Sequence, residues 1–164
     1  MEAHRANGTW QIIELPFAKH AIGSRWVMKV KYNADGSLDR YKARLVAKGY
    51  SQRPGFDFTE TFAPTVHYST IRIVLALAAL EDLEPHSIDI SHAYLNSTLE
   101  EEIYMKQPEG FEVGGPGHVC KLVKSLYGLK QAGRVWNKTL HSVLSSMGFQ
   151  HVQSNHGLYI LLRD

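Results

Sequence analysis

Two periodicities run through this chain. From Trp26 to Tyr32 apolar and polar positions alternate, with Trp26, Met28, Val30 and Tyr32 on one face and Val27, Lys29 and Lys31 on the other, which is the period of a half-buried strand. Asn33, Ala34, Asp35 and Gly36 supply a turn. Residues 38–48 then return with Tyr41, Ala43, Leu45 and Ala47 on one face and Arg40, Lys42, Arg44 and Lys48 on the other. The prediction is a hairpin with one apolar and one strongly cationic face. Farther on, Ile71, Val74, Leu75, Ala78 and Ala79 recur at helical spacing and predict a core helix over 70–82, with Ser69 as its N-cap. A second apolar stripe, Val135, Trp136, Leu140, Val143, Leu144 and Met147, predicts a helix that Gly148 ends. Short strands are expected over 9–14, 103–106, 119–123, 149–152 and 157–162. Residues 16–20, 49–66 and 110–117 read as loops from their Pro and Gly content.

Between the two helices lies the stretch around which the chemistry turns, Ser87 to Leu95. Ile88 and Ile90 flank Asp89 in what reads as a short buried strand starting after Pro85, which would carry a carboxylate into a place poor in water. Such a carboxylate is tolerated when it is hydrogen-bonded, paired or bound to a cation. Tyr94 follows five residues later, where the chain should turn away. Taken alone, an Asp in this position often does no more than close a strand or cap a helix.

Charge sharpens the picture. The net charge is only +2, but the charges are sorted. Arg25, Lys29, Lys31, Arg40, Lys42, Arg44, Lys48 and Arg53 face only Asp35 and Asp39 in their part of the chain. Residues 54–112 carry eleven acids against Arg72 and Lys106, and from residue 118 onward the balance is basic again. Two basic surfaces flanking an acidic centre are implied, and a surface built for solubility alone would interleave the two signs. Lys130, Gln131 and Arg134 gather at the first turn of the second helix, a position suited to phosphate.

With 164 residues, 44% of them hydrophobic, the chain is expected to bury about 70% of its unfolded surface in a real core. Its longest apolar run, 73–80, is too short to span a bilayer, and Met1 to Arg5 lack the apolar stretch of a secretory signal. One cysteine, Cys120, allows no internal disulfide, and an intracellular location is the expectation. The nine histidines do not fall at zinc-site spacings, and no Walker, dinucleotide or Gly-x-Ser-x-Gly pattern occurs. What remains is a strand-borne carboxylate, an aromatic near it and two cationic surfaces.

The phrases Asn7 to Trp10, Gly23 to Val27, Tyr41 to Gly49, Glu60 to Pro64, Gln107 to Phe111 and Ser125 to Ala132 resemble, in the same order, those of the reverse transcriptase domain of copia-type LTR retrotransposon Pol polyproteins. The resemblance implies an α+β fold, the fingers and partial palm of a right-hand polymerase, with 1–84 mainly fingers and 85–164 mixed palm and fingers. It implies that Asp89 is the first catalytic aspartate, a ligand of two Mg²⁺ ions, with Mn²⁺ as the alternative, and that the Ile90 carbonyl is an extra ligand. By the same resemblance Tyr94 lies beneath the incoming sugar and selects dNTP over rNTP, and Gln131 sits near the nucleotide. One of Lys29 and Lys31, and one of Lys42 and Arg44, would grip the triphosphate. Arg40, Lys48, Lys130 and Arg134 would contact template and primer. The implied partners are an RNA template, a DNA primer, dNTPs and the rest of the Pol polyprotein.

Gly133 stands where the family has Pro, Asn96-Ser97-Thr98 where Asn-Gly-acid is common, and Asn155 where Asp is usual. The family's paired aspartates, in a Tyr-Val-Asp-Asp hairpin, would follow shortly after Leu162, whereas the sequence ends in Arg163-Asp164. The expectation is therefore a piece truncated before that hairpin, carrying one of three metal-binding carboxylates and inactive as an isolated chain. The rival expectation is a non-catalytic remnant that binds nucleic acid through the basic hairpin.

Overall fold

The computed structural model describes residues 1–162. Its centre is a four-stranded sheet in the order β1 (Trp10–Glu14), β6 (His118–Leu122), β5 (Tyr104–Lys106), β2 (Ala21–Ile22). β6 pairs antiparallel with both β1 and β5, and β2 adds in parallel to β5. Ile22, Ile103, Met105, Cys120 and Leu122 fill its buried face together with Leu45, Leu95, Leu126, Leu129 and Ala132. Strand, hairpin root, loop and helix start thus meet in one core.

The cationic hairpin forms as the alternation predicts. β3 (Ser24–Tyr32) pairs antiparallel with β4 (Leu38–Ala47), Trp26 opposite Leu45, Lys29 opposite Lys42 and Lys31 opposite Arg40. Opposite residues share a face, so the apolar and cationic sides are real. The apolar side is not half-buried along its length, however. Leu45 and Ala47 are buried at the root, whereas Met28, Tyr32 and Tyr41 are 70%, 65% and 76% exposed. Strands of nine and ten residues outrun a sheet whose own strands have two to five, so the outer part has nothing to pack on.

Two other expectations are corrected. Residues 83–90 form no strand: Ile88 is 85% exposed and Asp89 is exposed rather than buried. A strand needs a neighbour to take up its N–H and C=O groups, and among the described residues none pairs with this stretch. The chain instead turns at His92, whose φ of 54° is left-handed, into a 3₁₀ turn over Ala93–Asn96. The first long helix, α2 (Tyr68–Leu80; the five-residue α1 spans Glu2–Ala6), is not core. None of its residues is buried, and His67, not Ser69, precedes it, without a side-chain cap. Its periodicity encoded an apolar face, but the space over the sheet is taken by Leu95 and by α3 (Ala132–Ser146). α2 is tied instead to the hairpin of β7 (Gln150–Val152) and β8 (Asn155–Ile160), where Asn155 donates to the Thr70 hydroxyl at 2.8 Å. α3 ends as predicted, with Gly148 at φ 91°. Neither α1 nor the two-residue β2 carried a periodic signal. No helix among the described residues is long and apolar enough to cross a membrane.

The hairpin root is fastened to the loop before α3 by backbone. The Ala47 N–H donates to the Tyr127 carbonyl at 2.8 Å. A Cβ on Gly49 would lie 2.0 Å from the Gly128 carbonyl oxygen, and one on Gly128 would lie 2.2 Å from that of Ala47. Gly128 also has a φ of 91°, which disfavours any side chain. Beside this seam, Gln52 donates to Gln131 at 3.0 Å and accepts from the Lys130 N–H at 2.7 Å, while Gln131 donates to the Asp57 carbonyl at 2.9 Å. Gly128→Ala is expected to cost about 2–5 kcal/mol, from left-handed strain plus overpacking. Gly36→Ala, equally left-handed but in open space, should cost only about 1–2 kcal/mol. Thermal unfolding of the two variants checks the order; equal losses would show that the seam is not tightly packed.

On the far side of the sheet, Glu102 accepts from Lys19 at 2.5 Å, from the Tyr104 hydroxyl at 2.7 Å and from Lys121 at 3.3 Å. These bonds, the one from Lys19 first, hold its pKa down to about 2 from 4.5. A depressed carboxylate stabilises the fold above its unfolded pKa and loses that contribution as pH falls through the folded value. Denaturation midpoints of the native chain should therefore fall between pH 4.5 and about 2, and Glu102→Gln should flatten that fall. The exposed setting keeps the effect small. An unchanged pH profile in the variant would remove Glu102 as the source.

Candidate functional site

Where the hairpin root, the loop before α3 and the turn after Asp89 converge, they enclose a cavity of about 280 Å³. Asp89, Ile90, Ser91 and His92 line one wall, Lys42, Arg44 and Trp26 another, and Tyr127 sits between them. The local causes are visible in sequence order. β4 alternation puts Lys42 and Arg44 on one face. The left-handed residue His92 swings the chain away behind Asp89. The backbone seam at Gly128 fixes Tyr127 next to β4.

Inside this site the aromatic rings form a short series. Tyr94 meets Tyr127 edge-on with centroids 4.6 Å apart, and the Arg44 guanidinium lies 5.8 Å from the Tyr127 centroid. Both contacts lie in the range of favourable aromatic and cation–π geometry. Tyr94 is half-buried against the core and is not among the residues lining the cavity. His4, on α1, also lines the cavity, stacked 5.0 Å from Trp10. Burial, with the N-terminal ammonium and His92 adding repulsion, lowers its pKa to about 4, so it is a neutral ring at pH 7.

The sequence-predicted residues separate into groups. Asp89, Ile90, Lys42 and Arg44 come together in the cavity. Lys29, Lys31 and Arg40 share the cationic face with Lys42 and Arg44 but lie outside the cavity. Lys48 lays its aliphatic stem over Gly23 and lines a second, shallower cavity with Tyr50 and Lys106. Lys130 is exposed. Arg134 is engaged with Glu60 at 3.1 Å. Gln131 is fully buried, its amide oxygen and nitrogen both bonded within the seam, so its side chain organises the loop and does not face the cavity. Tyr127, His4 and His92 were given no role from sequence. For Tyr127 the available signal was an aromatic directly before a glycine that no other residue can replace.

A divalent ion held as the family resemblance implies needs several carboxylates. Asp89 is the only one in the cavity. Among the described residues no group of three or more His, Cys, Asp or Glu could hold a metal ion. With two cations lining the same space, the residues present do not fit a two-metal site.

The reverse transcriptase (RNA-dependent DNA polymerase) family model matches residues 7–163. A retrovirus-related Pol polyprotein from transposon TNT 1-94 of Nicotiana tabacum is 49% identical over 160 residues, 97% of this chain and 12% of that protein. The Pol polyprotein from transposon RE1 of Arabidopsis thaliana is 46% identical over 165 residues, 99% of this chain and 11% of that protein. A truncated transposon Ty1-A Gag-Pol polyprotein of Saccharomyces cerevisiae is 36% identical over 126 residues, 77% of this chain and 10% of that protein. The chain thus spans about a tenth of the curated relatives it matches. No solved structure matches it. The mixture of helices and strands around one sheet accords with a reverse transcriptase-like fold, and the chain belongs to the reverse transcriptase family found in retrotransposon Pol polyproteins.

Proposed function

We propose that this chain is the nucleotide- and template-handling part of an RNA-directed DNA polymerase, acting inside the cell as part of a longer Pol polyprotein. In this reading residues 1–84 belong mainly to the fingers and 85–164 to palm and fingers together. The observation that carries it is the meeting of Asp89 with Lys42 and Arg44 in one cavity at the root of a cationic hairpin. A dNTP triphosphate would find two fixed cations there. Tyr94 would contribute to selecting the sugar. Template and primer phosphates would lie along Lys29, Lys31 and Arg40, with Lys48, Lys130 and Arg134 as further contacts.

Electrostatics favours phosphate on the hairpin. Lys29 faces Lys42 and Lys31 faces Arg40 directly across the strands, and like charges so placed repel unless an anion answers them. Asp39 near Arg40, at 3.6 Å, offsets one of these charges only in part. Asp89 is one corner of the metal site in this proposal. Two-metal nucleotidyl transfer with Mg²⁺ or Mn²⁺ needs carboxylates beyond it.

Affinity of the chain for single-stranded RNA should fall with salt, with a log–log slope of about 0.7 per phosphate neutralised. Replacing Lys29 and Lys42 together by Gln should lower that slope by about 1.4. A slope unchanged by the double substitution would exclude the hairpin as the phosphate surface. In primer extension with Mg²⁺ or Mn²⁺, the 164-residue chain should give no sustained template-directed incorporation of dNTPs. Incorporation would show that Asp89 does not need the further carboxylates.

A further inference from the structure

The cavity has one aromatic ring placed between its carboxylate and its cations, and that ring belongs to Tyr127, not to Tyr94. Tyr94 touches the cavity only at one remove, through its edge-on contact with Tyr127 at 4.6 Å. Arg44 reaches the same ring, its guanidinium 5.8 Å from the centroid. We propose that Tyr127 is the residue that presents an aromatic surface to the base and sugar of a nucleotide in this cavity, and that Tyr94 is a positioning residue that sets the Tyr127 ring.

Three features support this division. Tyr127 cannot drift from the cavity, because its carbonyl accepts from Ala47 and the next residue, Gly128, has no room for a Cβ against Ala47. Its side chain is the free variable, and Tyr94 is the ring that limits it. The cation beside it, Arg44, lies on the face of β4 that also carries Lys42, so a phosphate held by those two residues leaves the sugar and base next to Tyr127. Tyr94 is packed against the core, with Leu95 buried beside it, and is fixed by that packing. The inference rests on the cavity being a nucleotide site, as proposed above.

Trp26 lines the cavity and reports on it. Binding of dATP and of inorganic tripolyphosphate, in buffer without divalent ions, is followed by tryptophan fluorescence in the native chain and in Tyr127→Leu, Tyr127→Phe, Tyr94→Leu and Tyr94→Leu/Tyr127→Leu variants. Thermal unfolding confirms that each is folded. Loss of a stacked base or sugar should weaken dATP roughly 5- to 150-fold in Tyr127→Leu and leave tripolyphosphate nearly unchanged. Tyr127→Phe should bind dATP almost as the native chain does. Tyr94→Leu should weaken dATP, and adding it to Tyr127→Leu should cause no further loss, because the second ring acts only through the first.

Unchanged dATP affinity in Tyr127→Leu would overturn the proposal. So would an equal loss of tripolyphosphate, which would make Tyr127 a mere support of the cavity wall. Losses for Tyr94 and Tyr127 that multiply in the double variant would give the two rings independent contacts and overturn the positioning role. A native chain that takes tripolyphosphate no more weakly than dATP overturns this inference alone. One that takes neither overturns the nucleotide-site reading and the inference with it.

Discussion

Two glycines hold the hairpin and the helix-bearing half of this protein together. Gly49 and Gly128 bring the backbone after β4 and the loop before α3 to a separation that no Cβ could enter. The Ala47 to Tyr127 hydrogen bond closes the same seam. Because packed backbone cannot be compressed and buried N–H groups must be answered, this contact sets the angle at which the cationic hairpin leaves the core. The buried Gln52, Gln131 and Asp57 network extends it by satisfying the polar groups that the close approach would otherwise strand.

The site is a consequence of that seam. Lys42 and Arg44 are near Asp89 because the root of β4 is pinned beside Tyr127, and Tyr127 is in the cavity because the residue after it can only be glycine. Farther out, the hairpin has no such constraint. Its two faces differ in chemistry, yet both are open to solvent, so the apolar face around Met28 and Tyr41 reflects strand pairing and not burial.

Much of the fold was legible. The β3–β4 hairpin, its turn, its sorting of charge, and α3 with its terminal Gly148 follow from local periodicity and turn chemistry, which act within a few residues. The stretch around Asp89 was not legible. Ile88 and Ile90 satisfy the composition of a buried strand, but a strand is made by its neighbour, and no described strand lies beside this one. α2 shows the same limit: its stripe at 71–79 predicts a helix, which forms, and a core position, which it does not occupy. Gln131 was expected near a nucleotide, and its burial came from Gln52 and Asp57, partners more than seventy residues away.

By itself the sequence determined which segments become strands or helices, which face of the hairpin is cationic, and, through its phrases from Asn7 to Ala132, the family. Those properties depend on side-chain order and backbone preference over short distances. The tertiary structure alone decided that Asp89 is exposed, that Lys42 and Arg44 but not Lys29 and Lys31 stand with it, and that Tyr127 rather than Tyr94 lines their cavity. Each of those outcomes is set by how distant backbone segments approach one another, and here that approach is governed by the absence of a side chain at Gly49 and Gly128.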